Sequence, residues 1–305
     1  RLNFRCFTFI SGLCSSSFQS DVASTMVTHL RCIGCDRGQI VSTTKGIVSF
    51  SAKNTVVLLI ASLCALAGFL WPFFYKGTDL PKTQLFFWLA VAFACALVVL
   101  EVSNSKLDAK SVALLGVLAA LISALRPLGA GAVGIEPMWF VLILSARVFG
   151  PTFGFLLGII SMFASALLTG GLGPWLGYQI FAAAWIGLIA GLLPRNTRGK
   201  KEIAMLIIYG ALSAEIFGLL MDLQFWPWAL GADTQLSYSP GAAISENLSR
   251  FIAFHFATAM AWDIPRAIFT VCLIAFTGSS VLAALRRSHT RAAFVTPIIF
   301  SERVK

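Results

Sequence analysis

Long apolar runs separated by short polar breaks set the pattern of the chain. Thr55–Tyr75 is the first run, ended by Lys76-Gly77-Thr78-Asp79, and Gln84–Val102 is the second. A polar connector at 103–110 leads to Ser111–Leu125, Met138–Val148, Thr152–Leu168, Ile180–Leu193, Ile203–Leu223 and Phe251–Leu285. The runs are long and do not alternate with period two, which predicts membrane helices and not barrel strands. They make eight expected spans, with Pro265 expected to kink the last. Residues 1–50 show no sustained period. They read as a disordered cytosolic leader or a reading frame opened too far upstream, and not as a signal peptide, because no compact apolar core precedes a small-residue cleavage site.

The break most rich in chemistry is Gly170-Gly171-Leu172-Gly173-Pro174-Trp175-Leu176-Gly177-Tyr178-Gln179. Four glycines and one proline cannot continue a membrane helix. In a bilayer, irregular backbone survives only where protein buries it or water reaches it. Trp175 and Tyr178 offer two rings for stacking, and Gln179 an amide that both donates and accepts. An ordinary turn with interfacial aromatics would give the same pattern, so spacing alone leaves both readings open.

Composition fixes the class. The chain has 305 residues, 58% hydrophobic and 12% charged, with a mean hydropathy of +0.84. That excludes a soluble domain with a large core. The net charge of +10 gathers at the two ends, which suits cytoplasmic anchoring and not nucleic-acid binding. The connector Pro194–Glu202 holds Arg195, Arg198, Lys200 and Lys201 and is assigned to the cytoplasm. Alternation then puts both termini in the cytoplasm. It puts the central break and the loops Arg126–Pro137 and Gln224–Arg250 on the outer side, where they converge on one face. Glu136, Trp226 and Asn247 join Trp175, Tyr178 and Gln179 as the expected ligand-binding set. Taken singly, Arg126, Glu136, Glu246 and Asn247 are ordinary solvated loop residues.

Seven cysteines give no disulfide framework. Cys64, Cys95 and Cys272 fall in apolar runs as small core residues. Cys32-Ile-Gly-Cys35 with His29 lacks a fourth zinc ligand, so no metal is expected. No Walker A motif, nucleophile elbow, HExxH or dinucleotide fingerprint occurs, and no enzymatic activity is expected. Inside the spans, Glu215 and Asp222 are costly carboxylates that should face an interior or cavity. Asp263 and Arg266, three apart on one helix, are expected to pair, either as structural glue or as part of substrate binding or gating. His255, one turn back, reads as a hydrogen-bonded core residue. Gly116, Ala120 and Ala124 form a small-residue stripe with Ala119 and Ser123 alongside. It would let a helix approach closely, from inside the same bundle or from a partner.

From Ser111 to about Leu285 the chain resembles the substrate-binding S components of energy-coupling factor (ECF) vitamin transporters. Three groups carry the resemblance. The first is the small-residue stretch Leu115–Ala124 running into a Gly/Pro loop. The second is Ser145-Ala146-Arg147-Val148-Phe149-Gly150-Pro151-Thr152-Phe153-Gly154, followed by Leu168-Thr169-Gly170-Gly171-Leu172-Gly173-Pro174-Trp175. The third is Phe254-His255-Phe256-Ala257-Thr258-Ala259-Met260-Ala261-Trp262-Asp263 with Arg266-Ala267. The Gly-Pro-Trp stretch before Gln179 is similar to the branch that takes up cobalamin-type or other large, nucleoside-like nutrients.

The resemblance implies an all-α membrane protein with a six-helix bundle at 111–285 and an outward-facing ligand site under flexible loops. An accessory transmembrane hairpin at 51–110 and a basic cytoplasmic tail at 286–305 flank that bundle. It implies a multi-pass protein of the cell membrane with no cofactor of its own, ATP being used by two partner ATPase subunits. A membrane coupling subunit would dock on Gly116, Ala120 and Ala124, and toppling of the whole S component would carry the vitamin inward. The rival classes are a membrane structural or regulatory protein and a self-sufficient secondary transporter.

Overall fold

The computed structural model describes residues 52–77, 109–129, 134–231 and 234–293, with Ala92 and Ala96. The leader at 1–50, the Cys32–Cys35 pair, the rest of the Gln84–Val102 run and the last part of the tail lie outside the described residues. Among the described residues every regular element is a helix: α1 Ala52–Phe74, α2 Ala109–Leu125, α3 Met138–Phe149, α4 Pro151–Thr169, α5 Leu176–Leu192, α6 Lys200–Ala229, α7 Ile244–Thr258 and α8 Met260–Ala293. A 3-10 turn, Arg126–Gly129, prolongs α2. Five of these segments are long and apolar enough to cross a membrane: Thr55–Phe74, Ala109–Gly129, Pro151–Thr169, Lys200–Ala229 and Met260–Thr290. The fold is that of an all-α, multi-pass membrane protein.

Two expected spans, α3 and α5, are shorter than these five, and α3 is too short to cross alone. The 12 residues of α3 reach about 18 Å at 1.5 Å per residue, against about 30 Å of hydrocarbon. Their surroundings account for this. All of α3 is buried except Val141 and Val148, so protein and not lipid surrounds it. It touches α4, α5 and α8 and serves as the axis of the bundle. Gly150, at φ 103°, ends it and lets Pro151 start α4 at once.

The tightest seam joins α4 to α5. Gly154 lies on the Gly187 backbone, Gly158 on Ala183 and Ala184, and Gly191 on Gly150 and Pro151. A methyl group on Gly158 would come within 2.7 Å of the Ala183 carbonyl. Small residues at four-residue spacing on both helices bring the backbones together, as expected where lipid supplies no hydrophobic drive. On α2, in contrast, Gly116, Ala120 and Ala124 are exposed among the described residues, while Leu115, Leu118, Ala119, Ile122 and Ser123 face the core. Among the described residues, nothing lies within 4 Å of a methyl group built on Gly116.

Aromatic rings fasten α1 to the bundle. Phe69 meets Tyr178 edge-on at 4.9 Å and Trp185 at 5.8 Å, and Phe73 meets Trp226 and Phe251. The Trp185 indole donates to Ser62 Oγ at 3.1 Å.

Three expected boundaries need correction. The segment at 224–250 is not one polar loop: α6 runs on through Trp226 to Ala229, and α7 begins at Ile244. Buried Asn247, Phe251, Phe254 and His255 recur at helical spacing, so this polar-looking stretch is an amphipathic helix. The final run breaks at Ala259, ahead of Pro265, which lies inside α8. The last helix also continues past Leu285 to Ala293, taking Arg286 and Arg287 into regular structure.

Candidate functional site

Pro127 stops α2 because it cannot supply the next helical hydrogen bond, and the 3-10 turn swings Arg126 toward α4 and α5. There Arg126 Nη2 donates to Gln179 Oε1 at 2.6 Å and Nη1 reaches Ser165 Oγ at 3.4 Å. Glu136, just before α3, accepts from the Trp139 indole at 2.5 Å and from Arg266 Nε and Nη2 at 3.2 and 3.3 Å. Trp139 leans on Phe217 at 4.4 Å, and the Arg266 guanidinium sits 5.2 Å over the same Phe217 ring.

Several of these groups line a half-open cavity of about 280 Å³. Arg126, Glu136, Thr169 and Gln179 form its polar wall, and Met138, Trp139, Met162 and Phe217 its apolar wall, with Pro127 and Gly129 at the edge. A guanidinium and a carboxylate stand on one small space, with a neutral amide beside the guanidinium. Such a lining can hydrogen-bond a polar, flat molecule while an indole and a phenyl ring cover its face. Methionine fits that wall well, because its unbranched thioether adapts to the shape it meets.

Of the residues expected from sequence, Glu136 and Gln179 line the cavity. The others do not. Tyr178, 6% exposed, turns its ring to Phe69. Trp175, 44% exposed, folds its indole over Gly173 in its own loop. Trp226 is wholly buried, donates to the Leu236 carbonyl at 2.7 Å and packs on Tyr238 and Phe251. Asn247 is buried and clamps the backbone N–H and C=O of Ser239 at 3.1 and 2.9 Å. Two of the three loops expected on the outer side thus contribute to the cavity, and the third packs on α1. Arg126, Trp139, Met138, Met162, Thr169 and Phe217 were not among the expected site residues. A signal for one of them existed in the triplet Glu136-Pro137-Met138: a carboxylate just before a helix start sits near whatever side chain the first turn presents, here Trp139.

The expected Asp263–Arg266 pair forms, and Arg266 extends it to Glu136 and, at 3.5 Å, to the Ala214 carbonyl. His255 Nδ1 is 2.9 Å from Asp222 Oδ2, in keeping with its reading as a hydrogen-bonded core residue.

A second buried charge network lies at the other end of α3. Arg147 Nε donates to Glu202 at 2.8 Å, Nη1 to the Leu193 carbonyl at 2.8 Å, and Nη2 to the Pro194 carbonyl at 3.0 Å and Thr197 Oγ1 at 3.1 Å. Arg286 grips both oxygens of Glu202 at 2.7 and 2.8 Å.

A protein-family model described as "ECF transporter, substrate-specific component" matches residues 110–278. Among curated proteins and among solved structures, none matches the chain.

Proposed function

Starting from the chain's membership of the family of substrate-specific components of ECF transporters, we propose that the cavity at Arg126, Glu136 and Gln179 binds a vitamin-sized micronutrient for uptake. Membership implies a small-molecule substrate and ECF partner subunits in the membrane. The observation that carries the finer reading is the lining itself: one guanidinium, one carboxylate and one amide around about 280 Å³, walled by Trp139 and Phe217. That volume is just below the roughly 300–1,000 Å³ usual for ligand sites. It supports a heterocycle of one or two rings over a cobalamin-type ligand, whose corrin ring would require the Arg126–Pro137 and Thr169–Gln179 segments to part.

The exposed stripe Gly116, Ala120 and Ala124 supports docking of a coupling subunit on α2, because small side chains let a second helix come close. ATP would then be hydrolysed by the partner ATPases. The basic connector at 195–201 supports a cytoplasmic position for that end and an outer position for the cavity.

Small molecules retained by the detergent-solubilised protein, identified by mass spectrometry, test the reading. A retained heterocycle that rebinds the emptied protein, and whose binding weakens in Arg126→Ala, is the expected result. Rebinding unaffected by Arg126→Ala and Gln179→Ala would place the ligand elsewhere. Orientation is tested separately in a cysteine-free background. A cysteine at Gly171 should react with an impermeant thiol reagent from outside, and one at Arg198 should not.

A further inference from the structure

Beside the cavity but not lining it, α6, α7 and α8 bring Glu215, His255 and Asp263 together, with one ligand atom of each within 4.8 Å of the other two. Asp263 is 1% exposed and gives Oδ1 to Arg266, yet its Oδ2 has no hydrogen-bond partner. A buried carboxylate oxygen with nothing donating to it calls for a cation. Gly218, one turn along α6 from Glu215, makes room for the Asp263 carboxylate, since a side chain there would occupy its space. Asp222 Oδ2 lies 2.9 Å from His255 Nδ1, from outside the trio, and the ring tautomer that donates there has its lone pair on Nε2. A carboxylate on the far nitrogen of a histidine fixes its tautomer and strengthens it as a ligand.

Charge points the same way. Glu136, Glu215, Asp222 and Asp263 face Arg266 and His255. With Arg126 across the cavity from Glu136 and His255 protonated, four carboxylates stand against three cations, inside a bundle where unbalanced charge is costly.

We propose that Glu215, His255 and Asp263 form a binding site for a divalent transition-metal ion, with Asp222 positioning His255. One imidazole and two carboxylates suit zinc, cobalt or manganese. A point equidistant from three atoms 4.8 Å apart lies about 2.8 Å from each, against about 2.0–2.2 Å in zinc sites. Side-chain rotations of under an ångström would close the difference. The sequence pattern did not reveal this site because its ligands come from three separate helices. It does not depend on the identity of the micronutrient, and its test leaves uptake aside.

Cobalt(II) is the probe, added to full-length protein purified without a polyhistidine tag, in a Cys32→Ser/Cys35→Ser background, after chelator treatment. One equivalent should bind saturably by calorimetry, produce a visible d–d absorption band and be displaced by zinc. Glu215→Gln should weaken binding more than 10-fold, and Asp222→Asn by roughly 10- to 100-fold, as outer-shell partners of metal-bound histidines do. Glu215 pairs with no basic side chain among the described residues, so Glu215→Gln should keep its melting temperature and serve as the folded control. Absence of saturable cobalt binding overturns the proposal, as does unchanged affinity in folded Glu215→Gln and His255→Gln variants.

Discussion

The two ends of α3 carry buried charges of the same kind, joined in different ways. At the Arg147 end, guanidinium hydrogens meet Glu202, two main-chain carbonyls and Thr197, and Arg286 covers the second oxygen of Glu202. Both partners of the Arg147–Glu202 pair are almost fully buried, with side-chain exposures of 3% and 2%. At the Glu136 end the bonding is incomplete. Arg126 has one short bond and one of 3.4 Å, Arg266 is shared between two acids, Asp263 keeps an oxygen without a donor, and a cavity remains. A saturated network holds helices in place and offers a ligand nothing. One with unfilled donors and acceptors beside a void can still bind.

The contrast breaks first, and hardest, at the sealed end. Glu202→Ala should cost about 3–5 kcal/mol of stability, because it leaves the buried Arg147 guanidinium without its carboxylate and facing the partly exposed Arg286. Thermal unfolding in detergent measures it, and ligand affinity per folded molecule should stay as it was. An unchanged melting curve would remove the distinction between the ends. At the open end the effects should reverse. Arg126→Ala should weaken ligand binding roughly 10- to 150-fold, the scale of one hydrogen bond to a charged group, with little change in melting. Equilibrium titration decides it, and a large loss of stability there would make Arg126 another structural clamp.

A smaller effect sharpens the picture within the cavity. Gln179→Leu should weaken binding roughly 2- to 10-fold, the range of one neutral hydrogen bond. Trp175→Ala should do less in the same titration, since its indole lies on its own loop. Smallest of all for the isolated protein is Ala120→Trp, on the outward face of α2 away from both networks. It should leave melting and ligand affinity unchanged while abolishing co-purification with a coupling subunit. Loss of folding would show that the face is covered within the chain.

Charged residues were the legible part of the site, and apolar ones were not. Asp263 and Arg266 could be paired from sequence because their spacing on a helix allows one geometry and their cost in a membrane demands a partner. Glu136 and Gln179 could be placed near each other because loops on one side of a membrane must meet. Trp139, Met162 and Phe217 sit in runs where every neighbour is also apolar, so nothing in the pattern distinguishes a cavity wall from a core. Tyr178 is turned from this cavity by a rotation along α5. It is adjacent to Gln179, and the 100° between neighbours on a helix sends one side chain to Phe69 and the other to Arg126. The α4–α5 glycine seam was missed for a related reason. Gly154, Gly158, Gly187 and Gly191 lie inside long apolar runs, where a glycine carries no mark of the helix it will meet. Helix α7 was lost because its polar residues, Ser245, Glu246 and Asn247, look like a loop until the spacing from Asn247 to His255 is followed.

The shortness of α3 bears on how the protein is made. An insertion machinery sorts segments into the bilayer by length and hydropathy, and 12 residues ending beside Arg147 offer it a poor passenger. With only Gly150 between them, α3 and α4 leave the ribosome as nearly one segment, and α4 is long enough to be admitted by itself. The axis of the finished bundle must then be drawn in by its neighbours. Glu202, which neutralises Arg147, and Arg286, which shares that carboxylate, emerge later in synthesis, so the network stays incomplete until α6 and α8 arrive. The centre of this protein is accordingly the last part to settle, and a chain truncated before α8 should be recognised by membrane quality control as unfinished.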